Sequence, residues 1–345
     1  MALYLSLILS SFFLSFLELF VKKNKKKYFK IIQKLYIFAV FLLFTFNRKN
    51  SDYNNYLKVF NGEKNIVSEK GYLFLTSIIR ILGLNHHFII LLLASLMIFV
   101  LFYLYKTKYI ISFIFLYIFY TFVYDINQIR NFFCILFILI GINFLKKNKN
   151  FLYIIFNILA ITFQRLGYIY LIFYILQKFK IKTYMRILAI LFIIGLFFTP
   201  IFEKSMIYLF PGKAIYYFSR KPNIGMLMYY GFLVIDIVII RIGNYKKIKI
   251  KEENLYIKFI LFPIIFLPFS CLSIELIERI WRNCLYLKWF YCLKYLKDKN
   301  NLKVNILLWS CLIFQMIFFI GVFIIKDHET IINILEQIKN VGFYF

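Results

Sequence analysis

Acidic side chains are scarce in this chain: 15 aspartates and glutamates stand against 43 lysines and arginines, a formal charge of +28 at pH 7. Histidine and proline are scarcer still, at three and five residues in 345. The histidines, His86, His87 and His328, show neither HxxxH nor HExxH spacing, so no metal site is expected. The five cysteines, Cys134, Cys271, Cys284, Cys292 and Cys311, lie within or at the ends of apolar segments, with no CxxC spacing and no histidine pair nearby. They read as inert apolar residues. The acid deficit alone would suit a nucleic-acid binder, but such a protein gathers its basic residues on a soluble face. Here the lysines recur as short clusters between apolar runs, which excludes nucleic acid as a partner and marks cytoplasmic membrane loops.

What the chain has in abundance is apolar surface. Hydrophobic residues make up 63% and aromatics 22%, which with so little proline excludes a soluble domain and defines an all-α integral membrane protein. The first segment, Ala2 to Phe20, lacks a basic stretch before it and a small-residue cleavage site after it, and reads as a retained span with its N-terminus outside. Six basic clusters follow, around Lys22 to Lys30, Lys106 and Lys108, Lys146 to Lys149, Lys178 to Lys182, Lys246 to Lys251, and Lys294 to Lys303. If all face the cytoplasm, each stretch between neighbouring clusters crosses the membrane an even number of times. The polar turns Asn47 to Asn85, Tyr124 to Asn131, Gln164-Arg165, Ile201 to Ile224 and Ser273 to Asn283 then lie outside. With one span at each end, the expectation is a single polytopic domain over residues 1–345 with about twelve transmembrane helices.

Of nine arginines, seven (Arg48, Arg80, Arg130, Arg165, Arg220, Arg279 and Arg282) fall on the expected outer side, while lysine dominates the inner loops. Guanidinium offers a planar fork suited to phosphate or carboxylate, whereas lysine is a hydrated point charge. An outward-facing anion site explains the segregation; the alternative is that these arginines snorkel to lipid phosphates or pair with local carboxylates. Some hairpins are short. Phe151 to Phe163 and Leu166 to Leu176 would rise only about 20 Å and 16 Å as helices, against a hydrocarbon core of about 30 Å, so Gln164 and Arg165 are expected in a polar cavity open to the outside. Tyr124 to Asn131 forms a polar island between apolar runs, with Arg130 beside Asp125, Asn127, Gln128 and Asn131. Such a cluster is costly near hydrocarbon and is a functional-site hypothesis in itself.

The long external loop, residues 47–85, carries Tyr53, Tyr56, Leu57 and Phe60 at i, i+3, i+4 and i+7, an amphipathic helix suited to the membrane interface. Ser51 or Asp52 would cap it, and capping with solvation is the plain reading of both Asp52 and Glu69. Further on, Glu275, Glu278, Arg279 and Arg282 share one helix face and can close two i,i+4 ion pairs. These either neutralise each other or orient the arginines towards a bound anion.

The order Arg48…Ser51-Asp52-x-x-x-Tyr56-x-x-x-Phe60, then Glu69-x-Gly71-Tyr72-x-x-Leu75, then Asn127-x-Ile129-Arg130-Asn131, then Glu278-Arg279-Ile280, resembles the EpsG family of exopolysaccharide polymerases, related to Wzy-type O-antigen polymerases. The resemblance spans Arg48 to Tyr286. The family usually has Gln at Asn131, a small residue at Phe133 or Cys134, and His-Ser at Gln164-Arg165; the last departure leaves no histidine at that turn to act as general base. The resemblance implies a multi-span, metal-independent glycosyltransferase with no cofactor, multi-pass in the bacterial cytoplasmic (inner) membrane. Its substrate would be an undecaprenyl-diphosphate-linked oligosaccharide, transferred onto a lipid-linked repeat unit at the outer face. Arg130, Asp52 and Glu69 are the expected catalytic residues, with Asp125 and Glu278 behind the two carboxylates. Arg48, Asn127, Gln128, Gln164, Arg165, Glu278, Arg279 and Arg282 are the expected substrate contacts. Membrane lipid, a flippase and a chain-length regulator of the same pathway are the expected partners. The alternatives are a flippase or transporter of lipid-linked oligosaccharide, a polysaccharide ligase, and a non-catalytic scaffold of an envelope assembly.

Overall fold

The computed structural model describes residues 2–20, 26–46, 52–63, 69–105, 109–209, 231, 234–238, 251–271, 274–295 and 313, and these are helical almost throughout, with no strand among them. The described residues of Met1–Leu171 form one compact unit and those of Ile172–His328 another.

In the first unit, α1 (Ala2–Phe20) and α2 (Lys26–Thr45) precede the short α3 (Tyr53–Phe60) and α4 (Lys70–Ile81). The helix α5 (His87–Met97) continues as a π-helical stretch, Ile98–Leu104, and α6 (Ile110–Asn127) contains a second, Tyr117–Thr121. Two helices follow, α7 (Ile129–Lys146) and α8 (Asn150–Phe163). With no hydrophobic drive between apolar helices in lipid, side-chain packing and buried hydrogen bonds hold such a bundle together. At one end of α1 the Tyr4 hydroxyl donates to the Ile118 carbonyl at 2.6 Å; at the other, Glu18 accepts from the backbone N–H of Ile111 and of Ser112, at 3.1 and 2.8 Å. The two helices are therefore antiparallel, and the Glu18 carboxylate sits where the first N–H groups of α6 need an acceptor. The Ser112 hydroxyl and the Gln33 amide complete its shell, each at 2.8 Å. Met97 against Tyr117 and Phe102 against Phe113 set α5 antiparallel to α6. Phe133 and Phe137 on Phe163, with Phe144 on Phe156, set α8 antiparallel to α7. The α7–α8 turn is closed by Asn148 in the left-handed region at φ 60°.

The second unit holds α9 from Ile172 onward (Gly167–Leu176), α10 (Ile181–Leu209), α11 (Lys251–Leu261), which runs on as a 3-10 helix Phe262–Cys271, and α12 (Ile274–Tyr295). Tyr184 donates to the Lys258 carbonyl at 2.6 Å, and the Lys258 ammonium donates to the Gln177 carbonyl at 2.5 Å. The helix α12 corrects one expectation: Ile274 to Asn283, part of an expected outer polar turn, is helical throughout. From Ile274 a single helix runs through it, because its charged residues recur on one face and pair along the axis.

Among the described residues four stretches are long and apolar enough to cross a membrane: His87–Leu104, Ile110–Asn127, Ile129–Lys146 and Ile181–Ile201. Ser6–Glu18, Asn150–Phe163, Gly167–Leu176 and Asn254–Phe269 are shorter apolar helices. The span expected after the last lysine cluster lies outside the described residues.

Candidate functional site

Gln128 (φ −100°, ψ 59°) is the single non-helical residue between α6 and α7. Arg130 therefore stands in the first turn of α7, where the helix dipole disfavours a cation. It needs a carboxylate, and Glu69 supplies one: the guanidinium Nη1 donates to Glu69 Oε2 in a half-buried ion pair. Glu69 lies in extended backbone just before α4 and makes no side-chain capping bond, so its carboxylate serves Arg130 and not the helix. Asp52 precedes α3 and likewise makes no side-chain capping bond. Both residues hold N-cap positions without the side-chain bond that capping would give, and Asp52 is partly exposed to solvent.

A close helix approach sets the position of Glu69. A Cβ added at Gly71 would come 2.3 Å from the Thr162 hydroxyl and 2.9 Å from the Thr162 carbonyl carbon. Only glycine lets α4 lie this near the end of α8, and that seats Glu69, two residues earlier, within reach of Arg130.

Tyr56 completes the arginine's surroundings. Its ring centroid is 5.8 Å from the guanidinium carbon, and its side chain hydrogen-bonds Arg130. Burial raises the Tyr56 phenol above its ordinary range, Arg130 opposes the shift and Asp52, one helical turn away, adds to it. Behind Tyr56 lies Tyr72, fully buried, with ring centroids 5.4 Å apart. The Tyr72 hydroxyl is 3.3 Å from Nε2 of His86. Tyr53 and Phe60 close edge-on around the His86 ring at 5.2 and 5.7 Å. Burial, aided by the neighbouring His87, pushes His86 down to about 4, so the ring is neutral at physiological pH. The amphipathic α3 thus turns Tyr56, Val59 and Phe60 into protein, while Tyr53 and Leu57 stay partly exposed.

The other expected residues divide. Asp125 is buried beside the Gln128 break, and Asn127 keeps a buried Oδ1 without a protein hydrogen-bond partner. Gln164 and Arg165 form the turn after α8; the Gln164 carbonyl lies 3.9 Å from the Cys134 sulfur, one turn along α7 from Arg130. The Gln164 Oε1 and Arg130 Nε are also buried without a partner, whereas Arg165 is exposed. Arg48 lies outside the described residues, as does the side chain of Glu275.

In the second unit Arg282, fully buried on α12, donates to Glu278 at 3.2 Å, with Arg279 partly exposed beside them. One turn and a half further along, Lys288 pairs with Asp236, which also accepts from the Trp281 indole at 3.4 Å. Neither Lys288 nor Asp236 belongs to a motif in the sequence. His86 is equally silent there, because a lone histidine at the start of an apolar helix has no metal spacing. The aromatic face of α3 and the Tyr72 of the Glu69-x-Gly71-Tyr72 motif are the signals that belong to it.

A helical membrane protein whose first unit gathers an arginine, two carboxylates and two buried tyrosines from three distant segments is defined by these features. The chain belongs to the EpsG family, whose model matches residues 30–336, and with it to proteins of exopolysaccharide polymerase type. No curated protein and no solved structure matches it significantly.

Proposed function

We propose that the protein polymerises a bacterial surface polysaccharide, transferring a lipid-diphosphate-linked glycan onto a lipid-linked repeat unit at the outer face of the cytoplasmic membrane. The observation that carries this reading is the convergence of Tyr56, Glu69 and Arg130 at the start of α7, with Asp52 one helical turn from Tyr56. In the reaction the acceptor hydroxyl oxygen bonds to the donor's anomeric carbon while the bond from that carbon to the lipid diphosphate breaks. The hydroxyl proton passes to a carboxylate, and the diphosphate departs with its negative charge. Arg130 offsets that charge, a role that requires no metal. Glu69, engaged with Arg130, fixes the direction of its fork; Asp52, partly exposed, is the carboxylate that takes the proton.

The buried, unpartnered Arg130 Nε, Asn127 Oδ1 and Gln164 Oε1 support a polar ligand at this end of α7, since such atoms are costly to leave unpaired in a membrane bundle. They would line an outward-facing cavity with Gln128 and Arg165. Arg48, Glu278, Arg279 and Arg282 are further substrate contacts in this reading. An undecaprenyl diphosphate carrier, a flippase that delivers it and a regulator of chain length are the partners this chemistry calls for.

The test is deletion of the chain with complementation and sizing of the surface glycan. The proposal expects single capped repeats without a ladder, restored to a ladder by the intact chain. Complete loss of surface glycan would indicate a flippase, and a normal ladder in the deletion strain would dismiss the proposal.

A further inference from the structure

The ring that closes the back of the Arg130 site belongs to no residue assigned above. His86 is 1% exposed, so it meets neither solvent nor substrate directly. Its contacts instead lead, residue by residue, to the arginine. Nε2 lies 3.3 Å from the Tyr72 hydroxyl, a hydrogen bond that either neutral tautomer makes. Tyr72 in turn packs against Tyr56 at 5.4 Å, and Tyr56 both hydrogen-bonds Arg130 and presents its ring to the guanidinium at 5.8 Å. Each link is buried: Tyr72 is 0% and Tyr56 7% exposed. We infer that His86 is a positioning residue of the polymerase reaction, fixing the Arg130 guanidinium through Tyr72 and Tyr56.

The physical reason is that Arg130 is held from two sides. Glu69 restrains Nη1 and Tyr56 restrains the face of the guanidinium. A tyrosine ring packed only by apolar neighbours can slide; one backed by a second ring whose hydroxyl is tied to a boxed histidine cannot. The groups that face His86 are Tyr53 and Phe60 from α3 and Tyr72 from α4, with His87 adjacent in the chain. None of these is a carboxylate that would favour an imidazolium. A neutral ring suits a relay whose task is geometric. A misplacement of about 1 Å of a group made for the transition state costs up to about a hundredfold in rate.

This inference rests on the polymerase reading, and its experiment separates the two. Purified full-length protein in lipid nanodiscs, given lipid-diphosphate-linked repeat units, is assayed as wild type, His86→Phe, Tyr72→Phe, Arg130→Lys, and each of the first two combined with Arg130→Lys. The expected result is a kcat about tenfold to a hundredfold lower for His86→Phe at unchanged KM, with little further loss when either change is added to Arg130→Lys. Losses that multiply in the Arg130→Lys background, or a His86→Phe enzyme with wild-type kcat, would overturn the inference while leaving the polymerase reading intact. Full activity in Arg130→Lys would overturn that reading first. Should His86→Phe fail to reach the membrane, Tyr72→Phe, which removes one hydroxyl, decides between the same outcomes by the same comparison.

Discussion

At the scale of the residue, the carboxylates of Glu69 and Asp52 are chemically alike and differently engaged. Glu69 is ion-paired to the guanidinium, whereas Asp52 reaches the site through its effect on Tyr56. Asp52→Asn should therefore abolish polymerisation by removing the proton acceptor. Glu69→Gln, which keeps a hydrogen-bond acceptor for Nη1, should retain measurable activity; turnover assays of the two side by side check this, and equal residual rates would contradict the division of roles. His86 gives a second residue-level test through its acidity. Folding lowers its pKa from about 6.5 in an unfolded chain to about 4 in the native protein. Between these values the unfolded chain binds more protons, so stability is fully present above about pH 6.5 and declines as pH falls towards about 4. The thermal midpoint measured in detergent should fall between pH 6.5 and 5, and His86→Phe should flatten that slope.

At the scale of the element, the close approach of α4 to α8 makes the Glu69–Arg130 pair reachable. Gly71→Ala places a methyl group against the Thr162 backbone carbon as well as its hydroxyl, so a rotamer change in Thr162 cannot accommodate it. The helix must shift, Glu69 moves with it, and polymerisation should fall by about a hundredfold while membrane abundance, followed by immunoblot, stays near wild type. What can be read from the sequence follows the same division. The short arms on either side of Gln164-Arg165 are legible because lysine clusters bracket the pair and this polar turn interrupts the apolar run. The continuous α12 is legible only in part: Glu275, Glu278, Arg279 and Arg282 read as one helix face, but the parity of the lysine clusters places a polar turn there. The order of Asp52, Glu69 and Arg130 is visible as a motif, and an ion pair joins Glu69 to Arg130. Tyr56 and Tyr72 stand in the same motif; the part of His86 is not legible, since a lone histidine without metal spacing gives no signal of its own. Glu18 is hidden for another reason: its partners Ile111 and Ser112 lie more than ninety residues away.

At the scale of the whole molecule, the lysine-rich turns and the Arg130 site should lie on opposite sides of the membrane. The helix α7 joins them, with Arg130 in its first turn and Lys146 at its end, 18 residues or about 27 Å in all. Reporters inserted at Gly62, in the turn after α3, and at Asn148, in the turn after α7, should read outside and inside respectively; the same side for both would contradict the arrangement. If Arg130 acts on the leaving diphosphate, loss of its planar fork should stop chain growth without removing the protein from the membrane. Arg130→Lys keeps the charge and loses the planar fork, so membrane abundance and glycan ladder length are to be taken from the same cells carrying that variant. The expected result is wild-type abundance with polymerisation reduced on the order of a hundredfold to a thousandfold, seen as collapse of the ladder to single repeats. Normal abundance with a normal ladder would contradict it.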